Sequence, residues 1–121
     1  MHIQFAELPV VDQDRAKRFY VETLGCEVAS DVAMGQDGWR WIELRFANAR
    51  TALHFIRRQP SVSEDVPVLA LVAEDVMATV EALRAKGVEI VTEPHNPLWR
   101  PGRTVAAFRD SEGNHMMLGS L

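Results

Sequence analysis

The chain has one cysteine, Cys26, so no internal disulfide is open to it, and no Cys/His grouping has zinc-finger spacing. Basic residues are in deficit: 13 Lys and Arg stand against 17 Asp and Glu, a formal charge of −4. That balance provides no overall cationic field for a nucleic-acid backbone. No apolar run approaches the ~20 residues a membrane span needs. The opening Met1-His2-Ile3-Gln4-Phe5 also lacks the basic end and apolar stretch of a secretion leader. These absences set the expectation of a cytoplasmic protein that binds neither nucleic acid nor membrane. What is present is globular in character: 121 residues, 47% hydrophobic and 25% charged, suited to a single domain over 1–121.

The main organising signal is a weak internal repeat. Val10-Val11-Asp12 through Leu24-Gly25-Cys26-Glu27 aligns with Val72-Ala73-Glu74 through Lys86-Gly87-Val88-Glu89, and the two glycines stand 62 residues apart. Each segment reads as strand, helix, glycine stop and strand. Asp12 and Asp75 have the carboxylate that caps a helix N-terminus. Ala16, Phe19, Tyr20 and Leu24 in the first copy, and Val76, Val80 and Leu83 in the second, recur with the period of one buried helical face. Gly25 and Gly87 supply left-handed stops.

Extended segments follow each helix. In the first copy they are predicted at 27–32, 39–46 and 51–57, separated by Gly35-Gln36-Asp37-Gly38 and by Ala47-Asn48-Ala49. Residues 59–65 read as a linker between internal units of about 1–58 and 65–121. In the second copy, strands are predicted at 66–72, 88–91, 103–109 and 114–118. A proline-rich loop over 92–102 and the turn Asp110-Ser111-Glu112-Gly113 interrupt them.

Leu8-Pro9-Val10-Val11-Asp12 leading to Phe19-Tyr20 and Leu24-Gly25 resembles the opening of the vicinal oxygen chelate superfamily, which includes glyoxalases, bleomycin-resistance proteins and extradiol dioxygenases. Asp110-Ser111-Glu112-Gly113-Asn114-His115 is similar to its closing turn, with Ser111 where proline is usual. The resemblance implies an α+β fold of two βαβββ units, whose strands form a curved, mixed half-barrel sheet with the helices outside. It also implies a homodimer. In metal-dependent members four ligands converge, and their positions fall here on Phe5, His54, Val68 and Met117. Only His54 has a competent donor, because phenylalanine and valine offer none and a thioether is a poor partner for hard divalent ions. The expectation is therefore no cofactor. A divalent metal remains conceivable only through a shifted set in which His54 is joined by Glu7, Glu43 or His115.

Strand parity then nominates a binding face. Trp39, Trp41 and Glu43 alternate with Arg40, Ile42 and Leu44, and His54 alternates with Leu53 and Phe55. If the apolar set packs under the helix, the two tryptophans, Glu43 and His54 share the open side. A carboxylate among aromatic rings calls for a partner, which a cationic ligand, Arg45 or Arg103 would supply. Glu7 and the second-half residues Trp99, Arg103, His115 and Met117 complete the candidate ligand-binding set, with no catalytic residue assigned. The reading is a small-molecule-binding protein of the glyoxalase and bleomycin-resistance type, its ligand in an apolar, tryptophan-bearing groove. The alternatives are a metal-dependent lyase, isomerase or dioxygenase built around His54, and a dimeric regulatory or immunity-type protein.

Overall fold

The computed structural model describes residues 1–60 and 65–121. Its chain divides into two compact units, Met1–Val62 and Ser63–Leu121. Four residues of the expected linker, 61–64, lie outside the described residues.

The first unit runs β1 (Phe5–Val10), α1 (Gln13–Arg18), β2 (Glu27–Ala33), β3 (Arg40–Arg45) and β4 (Ala52–Arg57). The second runs β5 (Pro67–Val72), α2 (Val76–Ala85), β6 (Ile90–His95), β7 (Val105–Arg109) and β8 (His115–Gly119). Each unit has its own four-stranded mixed sheet, in the orders β1-β4-β3-β2 and β5-β8-β7-β6. The first strand of each unit therefore pairs in parallel with the last, and the remaining pairings are antiparallel. The α+β fold of two βαβββ units is thus realised with one strand order used twice.

Both helices start where the sequence places their caps. Asp12 Oδ1 accepts the Arg15 backbone N–H at 3.0 Å, and Asp75 Oδ1 accepts that of Ala78 at 3.0 Å. In α1 the chain then widens into a π-helical turn over Phe19–Thr23, with Leu24 N–H donating to Phe19 O at 3.2 Å. Gly25 and Gly87 end the two helices at the same φ of +81°, where a Cβ would strain the backbone.

The apolar periodicity explains the packing. In the first unit Leu8, Val10, Ile42, Leu44 and Phe55 are buried with Ala16 and Tyr20 of the helical segment. The rings of Tyr20 and Phe55 lie 6.1 Å apart. In the second, the stripe Val76, Val80 and Leu83 is buried along with Phe108, Met116 and Leu118. Each buried Val, Leu, Ile, Phe or Met among them contributes roughly 1.5–3 kcal/mol by leaving water. Cys26 is also buried, and desolvation pushes its thiol up to about 11, which keeps it unreactive at neutral pH.

Two expectations need correction. Residues 92–95 are not loop: β6 continues through His95, and its pairing with β7 slips twice, so the strand accommodates Pro94 at irregular points of the ladder. Phe19 and Leu24 are only half-buried. The buried face of the first helix instead includes a polar side chain, Gln13, whose Nε2 donates to Arg40 O at 2.7 Å and whose Oε1 accepts Arg40 N–H at 2.9 Å. That amide takes the place of a neighbouring strand at the start of β3.

The closing turn is built around one carboxylate. Asp110 Oδ1 accepts the backbone N–H groups of Glu112 at 2.9 Å and Asn114 at 2.8 Å, and Oδ2 accepts Asn114 Nδ2 at 2.9 Å. Gly113, at φ +81°, turns the chain into β8.

Candidate functional site

Register across the first sheet sets a polar row on the face opposite the helix. Glu7 of β1 pairs with His54 of β4, and His54 pairs in turn with Glu43 of β3. Residues directly opposite on neighbouring strands point to the same side, so an imidazole lies between two carboxylate-bearing positions. Glu7 is exposed, while His54 and Glu43 are half-buried.

Aromatic rings surround this row. The Trp41 indole lies 4.0 Å from the His54 imidazole, tilted by 33°, and Phe5 reaches both rings at 5.7 Å, edge-on to Trp41. Trp41 Nε1 donates to Glu43 Oε1 at 2.8 Å. The partner that the Glu43 carboxylate requires is therefore this indole rather than Arg45 or Arg103. His54 Nδ1 is buried without a hydrogen-bond partner among the described residues, an orphaned polar atom.

Trp39 departs from the expected face. It precedes β3, and its backbone N–H donates at 3.0 Å to Asp37 Oδ1, so the turn rather than the strand sets its direction. The Arg57 guanidinium lies 4.6 Å over its ring and donates to Asp37 Oδ2 at 3.1 Å. These groups line an open cleft of about 460 Å³ with Asp12, Gln13 and Arg40. The Asp37 carboxyl is held below its ordinary value by the Trp39 N–H first and by Arg57 second. No sequence signal pairs Trp39 with Arg57, because they meet only across the fold.

In the second unit the corresponding row is apolar: Ala70 of β5 pairs with Met117 of β8, which pairs with Ala107 of β7. Trp99 and Met117 line a smaller cavity there, of about 140 Å³, which neither Arg103 nor His115 lines. His115 Nδ1 instead lies 3.4 Å from Asp65 Oδ1, an oxygen that accepts a 2.6 Å bond from Arg109.

A model of the Glyoxalase/Bleomycin resistance protein/Dioxygenase superfamily matches residues 2–118. The chain belongs to this superfamily. The uncharacterized protein YetH of Bacillus subtilis (strain 168) is 31% identical to it over 111 residues, covering 90% of this chain and 89% of YetH. Among solved structures of similar fold, UcmS2 superposes with a TM-score of 0.81 at 32% identity, covering 98% of this chain and 97% of its own. TnmS3, an antibiotic binding protein from Streptomyces sp. CB03234, gives a TM-score of 0.80 at 31% identity, with 99% and 95% covered.

Superfamily members that use a metal need several convergent donors, and the residues here do not fit one. Of Phe5, His54, Val68 and Met117, only His54 is a ligand type suited to the ion. Of the shifted set, Glu43 Oε1 accepts the Trp41 indole and His115 Nδ1 lies 3.4 Å from Asp65 Oδ1. Among the described residues, no group of three or more His, Cys, Asp or Glu side chains is placed to hold an ion.

Proposed function

We propose that this protein binds a small organic molecule without a metal, on the open face of the first unit's sheet. The observation carrying the proposal is the aromatic cluster of Trp41, His54 and Phe5 with Glu43 hydrogen-bonded at its edge. Flat rings stack on such a surface at little entropic cost, and the Glu43 carboxylate favours a cationic or hydrogen-bond-donating substituent. Glu43 Oε2 remains available as a polar group beside the rings. The likeness to TnmS3, an antibiotic binding protein, supports the same class of ligand. The reading extends to a cytoplasmic homodimer, whose stoichiometry sedimentation equilibrium measures.

The test is a titration with ethidium, a permanently cationic planar ring system, followed by its own fluorescence and by tryptophan quenching. Saturable binding that weakens about tenfold in Trp41→Ala is expected, since one stacked ring contributes on the order of 1–2 kcal/mol. Absence of saturable binding, or binding unchanged in both Trp41→Ala and Glu43→Gln, overturns the proposal. Dialysed protein is expected to hold well under one equivalent of Ni, Zn, Mn or Fe. A tightly held equivalent lost in His54→Ala would restore the metal-dependent enzyme reading.

A further inference from the structure

The small cavity of the second unit has a floor, walls and one charged group that together specify a ligand. Its floor is the row Val72, Gly119 and Val105, in register across β5, β8 and β7. Gly119 leaves a gap there, since a Cβ built on it would lie 3.9 Å from Val105 Cγ1 and 3.9 Å from Thr104 O, in ordinary van der Waals contact. Ala70, Met117 and Leu121 add apolar walls, and Trp99 lines the cavity from the loop between β6 and β7. No Asp or Glu among the described residues lines it. Its one charged side chain is Arg100, exposed and without an ion-pair or hydrogen-bond partner among the described residues. Arg100 is carried by two successive turns, its N–H donating to Pro97 O and its carbonyl accepting from Arg103 N–H, both at 3.1 Å.

The geometry points to a second ligand site, for a carboxylate on a compact apolar body such as a single aromatic ring or a branched acyl chain. Size and charge both support this. A cavity of about 140 Å³ is close to the roughly 150 Å³ that holds one benzene ring, and too small for the multi-ring ligands of larger pockets. A free guanidinium matches a carboxylate in plane and charge, and no Asp or Glu side chain among the described residues lines the cavity beside it. Met117 stands where metal-using relatives are expected to place a ligand, and here its thioether gives the cavity an adaptable apolar wall. The site does not depend on the stacking proposal for the first unit.

The experiment uses the full chain with methyl-labelled methionine and compares benzoate, benzamide and acetate by NMR. Benzoate is expected to shift the Met117 methyl saturably, with benzamide binding about three- to fivefold more weakly for want of the charge contact. Acetate, lacking the ring, should leave that methyl unmoved. Arg100→Gln is expected to reduce benzoate to the affinity of benzamide without changing benzamide itself. Gly119→Ala, whose added methyl projects into the floor, should weaken both aromatic probes and leave the other methionine methyls in place. Benzoate binding that survives both substitutions, or saturable shifts that bypass Met117, overturns the inference, as does a Met117 signal unmoved by benzoate at millimolar concentration.

Discussion

Trp41 and Glu43, two residues apart on one face of β3, are joined by a 2.8 Å hydrogen bond from indole Nε1 to carboxylate Oε1. The bond orients the indole against His54 and uses one carboxylate oxygen, leaving Oε2 for a second donor. Glu43→Gln keeps an acceptor for the indole but removes the charge. It is expected to change stability by less than about 0.5 kcal/mol while weakening ethidium, most at low salt. Trp41→Phe is the complement, keeping a ring but stranding the carboxylate, with an expected loss of about 1 kcal/mol in urea unfolding. A large stability loss in Glu43→Gln with unchanged binding would make the pair structural.

Gln13→Ala tests the amide that stands in for a strand at the start of β3. Losing it leaves the Arg40 N–H and carbonyl without their partner, and unfolding free energy should fall by roughly 1–3 kcal/mol. Gln13→Glu keeps the acceptor and loses the donor, so it should fall between wild type and alanine. Equal stability of all three proteins would show that water replaces the amide.

Asp31 governs part of the acid response. Its carboxyl is held below its ordinary 3.8 by Arg40 Nε at 2.8 Å first, and then by Lys17 Nζ at 2.7 Å. A depressed carboxyl stabilises the fold fully above its unfolded value, and that contribution fades as pH falls through the lower folded value. Asp31→Asn should therefore cost a few tenths to about 1 kcal/mol at neutral pH, given partial solvent screening. Its deficit should vanish at strongly acidic pH. A deficit that persists undiminished there would mean packing, not charge, is the cause.

Gly25 and Gly87 give a matched pair of backbone tests. An added Cβ meets nothing within 4 Å at either position, so any cost of alanine comes from φ alone. Each substitution should destabilise by about 1 kcal/mol. A loss of several kcal/mol at one position only would indicate a steric role there.

Much of this architecture is legible in the sequence because it is enforced locally. Asp12, Asp75, Gly25 and Gly87 act on backbone groups a few residues away, and so does Asp110 within its five-residue turn. The periodic apolar residues likewise mark one helical or strand face whatever lies opposite. The candidate site is only partly legible. Parity identifies the side shared by Trp41, Glu43 and His54, but cannot show that Glu43 is held by an indole. Trp39 is misassigned for a related reason: strand alternation lapses when a turn carboxylate captures a backbone N–H. Gln13 and Arg40, 27 residues apart, meet only through the tertiary fold.

The strand order has a kinetic consequence. Among the described residues the first strand of each unit pairs only with the last, so β1 waits for β4 across more than forty intervening residues, and β5 waits likewise for β8. Closing such a distant parallel pair costs loop entropy before it returns hydrogen bonds. The antiparallel pairs β2–β3 and β7–β8 are nearer in sequence and can form earlier, with the Asp110 turn prearranging the second. Each unit should therefore lock late, on docking of its N-terminal strand, and that strand's amides should be among the first to exchange with solvent when the unit opens.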